Sequence, residues 1–302
     1  MKISVVMTTY NGENYLEQQI KSILNQTLIP AELIVCDDGS TDNTITILEK
    51  YKKQGQLYYV VNPQRLGLID NFKKTVSLAA KGNYIALSDQ DDEWMPDKLE
   101  KSAALLATID SPQYPCMVYT DLLFVDKNEN ILNTSFRNEL GQDKYCHNLQ
   151  TLLFGNFVNG CTVLMNQALS KLFVDIPNNV RLNHDGWIAL VAFTFGKAAT
   201  INAPLVRYKK HSANLSIAVD TKPRNRYIST LNQLIDAIKG KDSFLEPQFE
   251  TVKNFYNKYA SEITVEKKQY FEAFLKLEGR PYIYKKIAFR KIVKEFKRKT
   301  KF

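Results

Sequence analysis

Tyr84-Ile85-Ala86-Leu87-Ser88-Asp89-Gln90-Asp91-Asp92 is the stretch that decides how this chain folds. Its first four residues are a continuous apolar run that stops at polar residues, the pattern of a short buried strand. Three carboxylates follow at once, Asp89, Asp91 and Asp92. Acids crowded at a strand's carboxyl end repel one another, and folding alone gains nothing from them. A hard divalent cation, Mn2+ or Mg2+, would neutralise them and bridge to phosphate oxygens. Open α/β sheets bind ligands at that edge. The competing reading is an acidic turn capping the next helix, with Pro96 near its first turn.

Outward from that stretch, strand and helix signals alternate. Strands are expected at Ile3–Met7, Leu33–Cys36, Leu57–Val61 and Tyr84–Leu87, with helices at Glu13–Asn25, Thr44–Tyr51, Ile69–Ala80 and Asp97–Ile109. Repeated β-α units imply a mostly parallel sheet with helices on both faces. Further strands are expected at Met117–Thr120, Ile131–Asn133, Thr162–Met165 and Val206–Tyr208, and an apolar helix at Asp185–Phe195. Beyond Arg224 the pattern is helical, at Arg226–Lys239, Pro247–Ala260, Val265–Leu277 and Tyr282–Lys299. The domains expected are therefore an α/β body over 1–215 and a helical C-terminal region over 216–302.

The other strand ends are also polar. Val5–Asn11 finishes in Thr8, Thr9, Tyr10 and Asn11, and Ile34–Asp42 finishes in Asp37-Asp38-Gly39-Ser40-Thr41-Asp42. Ribose hydroxyls and a base edge need acceptors at strand ends, and Asp38 suits that role. Read alone, the same acids are equally suited to capping a helix. Neither a dinucleotide-binding glycine pattern nor a phosphate loop ending in Gly-Lys-Ser/Thr is present.

These segments, with the turn Asn62-Pro63-Gln64-Arg65-Leu66-Gly67 and Ser88–Trp94 followed by Pro96, resemble in order and spacing a family 2 glycosyltransferase of the GT-A fold. The resemblance covers about the first hundred residues. It implies nucleotide-sugar contacts from Thr9, Asn11, Asp38, Arg65, Asp89 and Asp91, with the metal on Asp91 and Asp92 orienting it. His184-Asp185-Gly186-Trp187 resembles the family's acid–aromatic pair. There Asp185 would be the general base and Trp187 an apolar ring for a sugar face, although an aspartate at a helix start is also an ordinary cap. Arg207–Asn214 resembles a basic segment of bacterial polysaccharide transferases. In it His211 would reach the metal or diphosphate, and Arg207 and Lys210 would neutralise the leaving group.

Composition restricts the partners. Four cysteines, Cys36, Cys116, Cys146 and Cys161, lie far apart and read as reduced thiols. The N-terminus reads as a strand, without the pattern of a signal peptide. The net charge of +8 is concentrated at one end. Arg280–Phe302 holds ten basic residues and one acid, Glu295, so the excess is local and does not indicate a nucleic-acid binder. Within it Ala288, Phe289, Ile292, Val293 and Phe296 share a helical face opposite basic residues, the pattern of an in-plane membrane helix or of a helix packed on its own domain.

The expectation is a cytoplasmic, inverting, metal-dependent transferase, lodged peripherally at the inner membrane face by its tail. It would move a sugar from a nucleotide-diphosphate donor to a glycan or lipid-linked acceptor. The form of the motifs resembles rhamnosyltransferases, so dTDP-rhamnose is the first donor expected, then UDP-glucose or UDP-galactose. The alternatives are a sugar nucleotidyltransferase and a non-catalytic nucleotide-sugar-binding scaffold. Thr8–Gly12 is a poor substitute for the first one's basic glycine-rich loop.

Overall fold

The computed structural model describes residues 2–79, 82–126, 128–178, 180–181, 183–209 and 245–299, the side chains of 295–299 excepted. Among the described residues nine strands form one sheet: β1 (Ile3–Thr9), β2 (Glu32–Asp37), β3 (Tyr58–Val61), β4 (Tyr84–Ser88), β5 (Asp92–Trp94), β6 (Cys116–Val125), β7 (Ile131–Asn133), β8 (Leu164–Asn166) and β9 (Lys197–Lys209). Their order is β3-β2-β1-β4-β8-β6-β9-β5, with β7 paired to β6. β1 to β4 are parallel, while β8 runs antiparallel to both β4 and β6.

The connections are made by α1 (Leu16–Leu24), α2 (Thr44–Lys53), α3 (Leu68–Leu78) and α4 (Lys98–Ile109). Chain order runs outward from β1 to β2 and β3, then returns to β4 on the other side of β1. That reversal opens a crevice at the carboxyl ends of β1 and β4, where such sheets bind ligands. Met7 pairs with Ser88, so the chain beyond Met7 and the segment Asp89–Asp91 leave the β1–β4 pairing side by side.

Alternation along β1 divides the core. Ile3, Val5 and Met7 join Leu16, Ile20, Leu48 and Leu99 on one face. Val6 joins Phe72, Phe173 and Trp187 on the other. α8 (Asn183–Phe195) is buried on nearly every side from Gly186 to Ala192, as an all-apolar helix requires. Its outer face is covered by the helix Glu246–Tyr259, and Phe255 and Phe271 belong to the same core cluster. The C-terminal helices Glu246–Tyr259, Val265–Leu275 and Tyr282–Lys299 thus share the core of the body. The expected boundary at 215 and the expected helix Arg226–Lys239 lie outside the described residues.

Three departures from expectation have physical causes. Asp92–Trp94 is a strand, not a helix cap, because it pairs antiparallel with Arg207 and its neighbours on β9. β9 is thirteen residues long, where three were expected, because it follows the length of β6 in parallel, with irregular register around Asp121 near Pro204. The helices α5 (Phe136–Leu140), α6 (Leu149–Leu152) and α7 (Gln167–Phe173) are too short to show periodicity. Each is started by a side-chain cap, from Ser135, Asn148 and Asn166.

Candidate active site

The ends of β1 and β2 are tied together by one buried acid. Asp37 accepts hydrogen bonds from the Thr9 hydroxyl at 2.9 Å and from the Gly39 and Ser40 backbone N–H groups at 3.0 and 2.8 Å. Gly39 has φ +81°, which makes that return cheap. Asn11 completes the tie: its N–H donates to the Ser40 hydroxyl at 2.8 Å and its side-chain oxygen accepts from Thr41 N–H at 2.9 Å. Thr9 is 2% exposed, and its carbonyl also accepts from Asp38 N–H. Its hydroxyl hydrogen and its carbonyl are thus engaged inside the loop.

Asp38 braces the 62–67 turn. Its carboxylate accepts from Leu66 N–H at 2.7 Å, Gly67 N–H at 2.8 Å and the Asn62 amide at 3.0 Å. Of roughly four acceptor positions about one remains for a ligand. Arg65 Nε lies 3.9 Å from Asp38, and its guanidinium sits 3.8 Å over the Tyr10 ring. Tyr10, Arg65 and Asp38 therefore form one mixed aromatic and charged wall beside the crevice.

On the opposite side Asp89 and Asp91 are partly exposed and Asp92 is buried. Burial, then the charges of Asp91 and Asp185, push the Asp89 carboxyl up to about 7. Burial first, then Asp91 and Asp89, raise Asp92 well above the usual carboxylate range. Neither Asp92 oxygen has a well-formed hydrogen bond, and its neighbours are the buried Cys161 thiol and the Lys98 ammonium. Lys98 Nζ lies 3.6 Å over the Trp94 ring, and burial lowers it to about 7. Cys161 was read from sequence as an ordinary thiol, and Lys98 carried no signal at all.

The general-base candidate stands in the first turn of α8. Asp185 accepts from Gly186 N–H at 2.6 Å and from Gly160 N–H at 3.3 Å. Burial nevertheless pushes it up to about 7. Behind it His184 is buried against the rings of Phe72 and Phe173, at 4.3 and 5.8 Å, and burial lowers it to about 4. A Cβ on Gly160 would lie 2.6 Å from His184 Nε2, so this glycine is a condition of the packing.

The crowded acids suit a divalent cation. Asp89 and Asp91 are hard oxygen donors at the crevice, and an added positive charge would relieve the repulsion that lifts Asp89. Asp89, Asp92 and Cys161 also bring ligand-type atoms within 4.8 Å of one another. Lys98 lies near enough to Asp92 to oppose part of the rise in its carboxyl.

Two expected site residues lie elsewhere. Trp187 is 0% exposed and packs edge-on against Phe255 at 5.2 Å, so its ring offers no face to a sugar. The C-terminal helices, which could not be placed from sequence, occupy that side. Arg207 is engaged in ion pairs with Glu93 at 3.2 Å and Glu129 at 2.8 Å. His211 and Lys210 lie outside the described residues.

The family model described as Glycosyl transferase family 2 matches residues 4–173. An uncharacterized glycosyltransferase of Nostoc sp. is 29% identical over 71% of this chain and 66% of its own length, so the chain spans about two thirds of that relative. TuaG of Bacillus subtilis, assigned to teichuronic acid biosynthesis as a glycosyltransferase, is 27% identical over 71% of this chain and 81% of its own. Among solved structures, residues 1–349 of S. aureus TarS in complex with UDP-GlcNAc superpose with a TM-score of 0.56 at 18% identity, covering 91% of this chain and 80% of that fragment. The mannosyltransferase PcManGT of Pyrobaculum calidifontis, in complex with GDP-Man and Mn2+, gives 0.55 at 17% identity over 96% and 72%. These two likenesses place the chain in the GT-A fold.

Proposed function

The chain belongs to glycosyl transferase family 2, and from that membership we propose that it is an inverting glycosyltransferase that uses a nucleotide-diphosphate sugar. One observation carries the reading. Asp89 and Asp91 at the end of β4 and Asp185 at the start of α8 meet at one crevice, and Asp89 and Asp185 are both held near 7. A carboxylate near neutrality is matched to general-base work.

In the proposed reaction Asp185 takes the acceptor hydroxyl's proton as that oxygen attacks the anomeric carbon. The bond from that carbon to the phosphate oxygen breaks, and its electron pair leaves with the nucleoside diphosphate. Attack from the opposite side inverts the anomeric configuration. Asp38, Arg65 and Asn11 shape the nucleoside side of the crevice. Asp91, with Asp89 beside it, would hold Mn2+ or Mg2+, which when bound supplies charge stabilisation to the diphosphate. His211 is retained as a further candidate toward the metal or diphosphate.

The relatives and solved neighbours are described with teichuronic acid biosynthesis, UDP-GlcNAc and GDP-Man. They support a sugar-nucleotide donor; the glycan or lipid-linked acceptor is part of the proposal. Motif form keeps dTDP-rhamnose as the first donor to try, then UDP-glucose and UDP-galactose. Among the described residues no helix is long and apolar enough to cross a membrane. A lipid-linked acceptor would therefore be met at the membrane surface.

The test is a thermal-shift panel of nucleotide sugars with and without manganese, followed by transfer assays in chelator. The expected result is a metal-dependent shift with a subset of donors, lost in Asp91→Asn while the protein stays folded. Full transfer in excess chelator would overturn the metal assignment.

A further inference from the structure

The C-terminal helix Tyr282–Lys299 has two faces, and among the described residues one is packed on the fold while the other is exposed. On the inner face Tyr282 and Lys285 are buried, at 3% and 5% exposed. Phe289 packs against Tyr145 and Phe154, with ring centroids 5.3 and 5.5 Å apart. Phe154 in turn packs edge-on against Phe274 at 5.0 Å, so the helix is fastened to the body's core. The apolar face expected from sequence to enter a membrane, centred on Phe289, is therefore the face that holds the helix to the protein. Ala288, Ile292 and Val293 are half-buried on the same side.

The outer face is different. At about 100° per residue, Ile283, Tyr284, Ile287, Arg290, Lys291 and Lys294 fall within a stripe roughly 120° wide. Ile283, Tyr284 and Ile287 are 54%, 58% and 47% exposed, and the three basic residues are exposed as well. The stripe changes character along its axis: apolar and aromatic in its first two turns, basic in the next two. Glu295 is the only acid in Arg280–Phe302. Exposed isoleucines cost solvation unless something covers them, and the adjacent basic residues specify a negatively charged cover.

We propose that this outer stripe docks on an anionic bilayer surface, with Ile283, Tyr284 and Ile287 entering the interface and Arg290, Lys291 and Lys294 held at the phosphate headgroups. Tyrosine is well suited to that boundary, having an apolar ring and a polar tip. Basic residues near an anionic leaflet add attraction one by one. The inner face stays on the body, so docking orients the catalytic crevice with the protein and requires no unfolding of the helix. The inference goes beyond the transfer chemistry and needs neither donor nor metal.

The experiment is co-sedimentation of the full chain with phosphatidylcholine vesicles, with and without phosphatidylglycerol, in the absence of any sugar nucleotide. Binding is expected only with the anionic lipid and should weaken as salt rises. Charge reversal of Arg290, Lys291 and Lys294 to Glu should weaken partition by about a hundredfold or more. Ile283→Glu with Ile287→Glu should also abolish binding, while reversing Lys144, Lys171 and Lys197, exposed basic residues elsewhere, should not. Each variant is checked for an unchanged melting curve and for transfer to a soluble acceptor, which docking does not require. Equal loss in the Lys144/Lys171/Lys197 control, or binding unaffected by both stripe variants, would overturn the proposal. So would a solution dimer dispersed by Ile287→Glu without vesicle binding, which would assign the stripe to a second copy of this chain. Failure of the donor panel with intact, stripe-dependent vesicle binding would count against the transferase reading alone.

Discussion

Gln90 grips Tyr10 at two points across the crevice. Its Oε1 accepts the Tyr10 N–H at 2.9 Å and its Nε2 donates to the Tyr10 carbonyl at 3.0 Å. A side-chain amide thus continues the β1–β4 pairing beyond the last paired backbone residues. It locks the acidic motif to the loop that carries Tyr10 and Asn11. Gly12 is shaped for it, since a Cβ there would lie 2.3 Å from Gln90 Oε1.

Gln90→Glu keeps the acceptor and removes the donor, so the loop should loosen without losing its fold. One net hydrogen bond of about 1 kcal/mol corresponds to a several-fold change in binding. Donor KM should rise roughly five- to tenfold with kcat nearly unchanged. Steady-state kinetics decide it, and a fall in kcat at constant KM would contradict a loop-positioning role.

Asp185→Asn should keep donor affinity and lower transfer by about 10²–10⁴-fold. In the parent protein kcat/KM should rise as pH increases through about 7, because Asp185 must lose its proton to act as base. That limb should be shallower in the residual activity of the variant, where Asp89 still titrates near 7. The sign for stability is opposite. A carboxyl whose folded pKa is raised favours folding at low pH, and this contribution is lost as pH rises from its unfolded value of about 4 toward about 7. Relative to the parent, Asp185→Asn should therefore be more stable at about pH 8 than at about pH 4. Melting curves at the two pH values measure it.

Gly160→Ala should push against the His184 ring, whose Nε2 lies 2.6 Å from the added carbon. Overpacking of this kind costs about 1–3 kcal/mol. The same shift withdraws the Gly160 N–H from Asp185, so transfer should fall along with the melting temperature. His184→Ala in the same background removes the clash and should restore part of both. No recovery in the double variant would separate His184 from the effect.

Trp187→Ala distinguishes a core ring from a sugar platform. Trp187 is fully buried beside Phe255 and Tyr259, and truncating such a ring costs about 3–5 kcal/mol. Denaturant unfolding should show that loss. The fraction still folded should bind donor with parental affinity, and a selective rise in KM at unchanged stability would restore the sugar-contact reading.

The sequence alone determined the order of β1 to β4 and their helices, because each strand is a short apolar run and each helix has its own spacing. It also marked Asp38, Asp89, Asp91 and Asp185, since acids at strand and helix ends stand out against apolar neighbours. Tertiary structure decided what spacing cannot express. Trp187 and Phe289 look like exposed aromatic anchors until the C-terminal helices and the Tyr145–Phe154 segment are seen to cover them. Thr9 and Arg207 look available until Asp37, Glu93 and Glu129 are found beside them. Gln90 sits within the acidic motif and Gly160 in a loop, but what each holds is seen only when folding places Tyr10 and His184 against them. Local sequence encodes each residue's chemistry and periodicity. Whether a side chain remains free to act depends on partners far away in the chain, which only the packed fold brings into contact.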